Sequence, residues 1–160
     1  MKTALLFSLM LLLPLPELRA QHSVIRYEQA ALDFFVENVL PQYQFDLAFC
    51  GKTDSRASQF QHLPPCFTAD GYSVRDQLAG AAAAATPRQS MSLTWTSSRL
   101  KRGCTVRKHR PLLVVFSATQ LAEEWFVRVA VGGKHGATHY MFALSGAGQV
   151  TRWCRVAESF

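Results

Sequence analysis

No nucleotide-binding glycine loop, no zinc-ligand spacing and no nucleophile motif occurs in these 160 residues. Gly132-Gly133-Lys134-His135-Gly136 carries no Ser or Thr after its lysine, and strand-forming residues follow it instead of a helix, so it reads as a hairpin turn and not a phosphate loop. His62 and Cys66 invite a zinc reading, but Cys50 and Cys66 are not spaced as a zinc knuckle. No internal repeat or low-complexity linker divides the chain. After the first twenty residues no apolar run reaches membrane-spanning length, and no cysteine follows the first run to serve as a lipid anchor. These absences leave no cofactor, no metal and no transmembrane anchor to infer.

What is present begins with an export signal. Lys2 precedes an apolar run from Ala4 to Leu15 that is too short for a span, and Pro16, Glu17 and the small residue Ala20 follow it. Residues 1–20 are therefore expected to be a signal peptide. Residues 21–160 form one disulfide-bonded domain, with 15 basic and 10 acidic residues, and the product is secreted or periplasmic. Cys50, Cys66, Cys104 and Cys154 all follow the signal, and an even count in an exported chain implies two disulfides. Three pairings are allowed. Cys50–Cys66 would close a Pro-containing loop and Cys104–Cys154 would tie a basic hairpin to the last strand, so these two are the expected bonds.

Residues 23–40 show the spacing of an amphipathic helix. Ile25, Leu32, Phe35, Val36 and Val39 fall on one side, and Arg26, Gln29, Asp33 and Glu37 on the other. Ser23 is its candidate cap and Pro41 its stop. Tyr43 to Cys50 alternates as a half-buried strand. Residues 51–65 read as an exposed loop, and residues 72–85 as a second helix interrupted by Gly80 and stopped by Pro87. Strands follow around Trp95, over residues 112–118, around Val129, around Phe142 and over residues 149–156, joined by glycine-bearing turns. The predicted fold is α+β: an N-terminal helix, with a second helix, packed on a curved antiparallel meander of four to six strands.

This order of a long helix and then a meander resembles, in outline, the cystatin-like and NTF2-like architectures. The resemblance is one of shape. The Gln-x-Val-x-Gly hairpin of cystatins is absent, and none of Trp95, Trp125 and Trp153 has an adjacent proline. Protease inhibition is therefore not implied.

Function must come from clusters. Arg99, Lys101, Arg102, Arg107, Lys108 and Arg110, with His109, occupy twelve positions without an acidic residue. If they form a hairpin fixed by Cys104, their charges project together and predict an anionic partner: a polymer, a membrane surface or an acidic protein. A competing explanation is a solvated turn that protects a sheet edge. Aromatic residues do not interleave the cluster, which disfavours nucleic acid. His139 is the candidate acid/base of an alternative, an NTF2-like pocket enzyme, in which Asp46 or Tyr43 would be its partner. Arg128 and Arg152 sit among apolar strand residues and need either solvent or an acceptor. The leading expectation is a non-catalytic binding or accessory domain.

Overall fold

The computed structural model describes residues 25–55, 74–84, 89–107 and 109–159. The expected signal peptide, Ser23, Cys66 and Lys108 lie outside the described residues.

The first helix, α1 (Tyr27–Phe34), continues as one π turn over Phe35–Val39 and a 3-10 turn over Leu40–Gln42. Pro41 does not stop it at Leu40 as expected. A proline has no N–H to donate backwards but fits the opening positions of a tight turn, so the helix changes pitch and ends after Gln42. Two side chains bond back to carbonyls one turn earlier in this stretch. Asn38 Nδ2 donates to Phe34 O and Gln42 Nε2 to Asn38 O, each at 3.0 Å.

The apolar stripe has the predicted phase. Ala31, Leu32, Phe35, Val39 and Leu40 are buried, whereas Asp33 and Glu37 are exposed; Ile25 precedes the helix and is also exposed. Two members of the polar stripe have tertiary work. Gln29 clamps the backbone of Thr94, donating to its carbonyl at 2.8 Å and accepting its N–H at 3.0 Å, and Arg26 Nη2 donates to Ser92 O at 2.7 Å.

Seven strands form one sheet. They are β1 (Leu47–Asp54), β2 (Leu100–Arg102), β3 (Leu112–Phe116), β4 (Thr119–Leu121), β5 (Glu124–Gly132), β6 (Gly136–Leu144) and β7 (Val150–Ser159). The order is β2-β1-β3-β5-β6-β7, and β4 pairs with β5. The meander holds from β5 to β7, where each pair is antiparallel. It fails before that: β1 runs parallel to both β2 and β3, so the sheet is mixed. The expectation assumed short turns throughout, but β1 and β3 are separated by enough chain to cross over. The segment around Trp95 is also not a regular strand. Its residue Ser92 makes one isolated antiparallel bridge to Lys52, and Trp95 donates through Nε1 to Leu100 O at 2.9 Å.

Alternation along the strands builds two layers of packing. On one face, Phe49, Val115, Val129 and Phe142 meet Leu32 and Phe35 of α1 in the main core. On the other, Phe126, Met141 and Ala143 meet Leu78 and Ala82 of α2 (Val74–Ala84). The second helix is thus present, and Gly80 lies inside it where a side chain would meet nothing within 4 Å. The alanine run serves close packing on the sheet through Ala82.

A disulfide joins Cys50 and Cys104, with Cα atoms 4.5 Å apart, and this excludes both expected pairings; Cys154 is disulfide-bonded as well. Sequence proximity suggested bonds that close loops. Strand order decides otherwise: β2 lies beside β1, Gly103 N–H donates to Phe49 O at 3.0 Å, and Cys104 therefore arrives next to Cys50.

Candidate functional site

Register gathers three separate segments at one end of the sheet. Leu112 pairs with Gly132, so the residues before β3 and those after β5 emerge together, and Ala48 pairs with Leu112, which brings the residues before β1 to the same place. Ahead of β3, Arg107 and Arg110 exchange backbone hydrogen bonds of 3.1 and 3.0 Å, forming a small hairpin with His109 near its tip. After β5, Gly133 N–H donates to Gly136 O at 2.9 Å and closes the turn that carries Lys134 and His135. Between them lies an open cleft of about 590 Å³. Its polar side chains are Arg107, His109, Lys134 and His135; Phe45, Pro111 and Gly133 complete the lining. Among the described residues every polar side chain there is cationic or becomes so on protonation, and no carboxylate contributes. Phe45 is 43% exposed, an uncommon setting for a phenylalanine.

The predicted basic cluster divides between structural and available charges. Arg99 is spent internally, donating to Leu40 O at 3.2 Å, to Phe45 O at 3.2 Å and to Tyr43 O. It caps the end of the first helical segment, where carbonyls lack donors and the helix dipole favours a cation. Lys101 lies 3.7 Å from Asp46, and the Arg102 guanidinium sits 5.9 Å from the centre of the Trp95 ring. Arg107 lines the cleft, whereas Arg110 contributes its backbone to the hairpin. Lys134, His135 and Phe45 were not in the predicted cluster. A cationic turn was visible in the sequence, but nothing local places it beside Arg107; only the β3–β5 register does.

His139 sits on the opposite face from Tyr140 and Phe142, as alternation requires, and is 6% exposed. Its partners are neither Asp46 nor Tyr43. Nδ1 accepts from Arg128, whose nitrogens lie at 3.0 and 3.3 Å, and Nε2 is 3.2 Å from Glu158 Oε2. This fixes the neutral Nε2–H tautomer and uses both ring nitrogens. Burial, and then the adjacent guanidinium, lowers the imidazole pKa below its ordinary value against the opposing pull of Glu158. Arg128 also lies over the Phe116 ring at 4.4 Å, while Arg152 pairs with Glu124 on the surface at 2.5 Å.

Comparison with protein-family models, with curated proteins and with solved structures finds no match to this chain. No group of three metal-ligating side chains occurs among the described residues.

Proposed function

We propose that this chain is an exported, non-catalytic binding domain that holds an anionic partner in the cleft of Arg107, His109, Lys134 and His135. One observation carries the reading: three chain segments converge on an open cleft to which Arg107 and Lys134 bring positive charge, with no carboxylate among the described lining residues. Converging like charges repel one another and offer a favourable potential to an anion. The alternative, His139 as acid/base, needs a ring nitrogen facing a substrate, and both nitrogens are engaged within the protein. Export rests on the apolar opening segment, and the Cys50–Cys104 bond suits an oxidising compartment. A cystatin-like or NTF2-like outline has the packing of the first helix on the sheet in its favour and the parallel pairing of β1 against it.

The test is retention on immobilised heparin across a salt gradient. Arg107→Glu with Lys134→Glu should move elution to much lower salt while leaving the melting temperature within a few degrees. Lys101→Glu with Arg102→Glu changes the same net charge outside the cleft and should move it far less. Equal shifts for the two pairs would reduce the cleft to a contribution to net charge.

A further inference from the structure

Beyond Phe45 lies a second hollow of about 390 Å³, reached from the same end of the sheet. Gln42, Tyr43 and Gln44 line one side; Thr138, Tyr140 and Arg155 line the other. Phe45 belongs to both hollows, so the two adjoin across its exposed ring. Arg155 is exposed on β7 opposite Tyr140. No carboxylate pairs with it among the described residues.

The hydroxyls of Tyr43 and Tyr140 lie 2.8 Å apart. Tyr140 is 2% exposed, so Tyr43 is the member that meets solvent. Burial, and then the hydrogen bond that Tyr43 donates to Tyr140, raises the Tyr43 pKa and keeps the phenol neutral, with its oxygen left as an acceptor. Gln42 commits its amide N–H to Asn38 O at 3.0 Å, which leaves its amide oxygen as an acceptor. The second hollow therefore mixes one cation with neutral acceptors, whereas the first is cationic.

We propose that the two hollows are consecutive subsites for a linear sulfated polysaccharide, with Arg155 holding a second sulfate and Phe45 stacking on the sugar ring between them. This deepens the anion-binding reading and rests on it. A sulfated sugar chain carries what the lining offers to meet: charged oxygens for Arg107, Lys134 and Arg155, hydroxyls for Tyr43 and Gln42, and an apolar ring face for Phe45. An acidic peptide would use the cations and could bond Gln42 through its backbone N–H groups, but its carboxylate side chains offer no flat apolar face to the exposed Phe45 ring. The openness of both hollows suits a polymer lying along the surface and not a small molecule that needs enclosure.

The experiment is calorimetric titration of the full exported protein with size-defined heparin oligosaccharides, from disaccharide to decasaccharide. Affinity should rise with length until both subsites are filled. Arg155→Ala should weaken the decasaccharide by about tenfold and leave the disaccharide unchanged, since it removes one linked contact. Phe45→Ala should flatten the length dependence. Arg107→Glu with Lys134→Glu should weaken every length. If Arg155→Ala and Phe45→Ala leave the decasaccharide curve intact while the cleft pair abolishes it, the second subsite is refuted and the anion-binding reading survives. If none of these variants matters, both fail. Poly-glutamate binding as tightly as a decasaccharide of similar charge, with the same loss on Arg155→Ala, would overturn the polysaccharide assignment in favour of an acidic protein.

Discussion

The carboxylate of Glu28 accepts the backbone N–H of Ala118 at 2.8 Å, joining residues 90 positions apart. Ser117 and Ala118 interrupt β3 and β4, which lie along the same edge of β5. An interrupted ladder strands its N–H groups, and each finds an acceptor: Ser117 donates to Asp54 O at 2.9 Å and Ala118 to Glu28. Glu28 is 2% exposed, so its removal leaves a buried donor without its acceptor. Glu28→Ala is expected to cost about 2–3 kcal/mol in urea denaturation, and Glu28→Gln, which keeps an acceptor, clearly less. Equal losses would assign the effect to the charge of the carboxylate and not to its hydrogen bond with Ala118.

Ala122 has φ 52° in the two-residue turn between the paired Leu121 and Glu124. A side chain in this left-handed region costs about 1 kcal/mol, a cost that glycine avoids while gaining freedom in the unfolded chain. Ala122→Gly should raise unfolding stability by about 0.5 kcal/mol, and Ala122→Val should lower it. A destabilised glycine variant would show that the turn has another conformation in solution.

The Cys50–Cys104 bond spans 54 residues, and closing a loop of that length contributes about 4 kcal/mol by the chain-entropy model. Replacing both cysteines by serine should lower stability on that scale. Non-reducing peptide mapping should recover Cys50 with Cys104, and two disulfides would then leave only Cys66 with Cys154. A Cys104–Cys154 peptide would contradict the strand order itself.

Leu32 and Asp33 are neighbours in sequence and opposites in environment, the first fully buried and the second exposed and held by Gln29 at 2.8 Å. Leu32→Asp should prevent stable folding, because an unpaired charge would enter the interface between helix and sheet. Asp33→Ala should cost less than about 0.5 kcal/mol. Circular dichroism melting of the two variants checks the helix phase.

Periodicity made the local elements legible. Helical spacing set the α1 face, and alternation put Tyr140 and His139 on opposite sides of β6. Long-range placement was not legible, because it depends on register. The sequence held no signal that β1 lies between β2 and β3, which sets the disulfide, or that β3 and β4 share one edge of β5, which sets the cleft and the donor for Glu28. Glu28 itself falls beside the apolar stripe, where an acid looks like a boundary residue until the break at Ser117 and Ala118 supplies its donor. Arg99 was misplaced for a related reason: a basic run reads as one surface, but an arginine within reach of helix-end carbonyls turns inward.

The His139 site makes stability depend on pH with a definite sign. In the fold, Nδ1 accepts from Arg128, so a proton there would face a guanidinium instead of water. The folded-state pKa is therefore below the ordinary value near 6.5 that the unfolded chain has, through burial first and Arg128 second. Below that value the unfolded state binds more protons than the folded one, so this contribution to stability is complete above pH 6.5. It falls as the pH drops toward the folded-state pKa, by at most about 1.4 kcal/mol per pH unit. Urea midpoints between pH 8 and pH 5 should show that loss, and His139→Gln should show less of it despite a lower midpoint at pH 8. Glu158 opposes the shift, so Glu158→Gln should deepen the acid loss by removing the group that favours imidazolium. If Glu158→Gln instead flattens the profile, the carboxylate and not the imidazole is the titrating member, and the assigned tautomer is wrong.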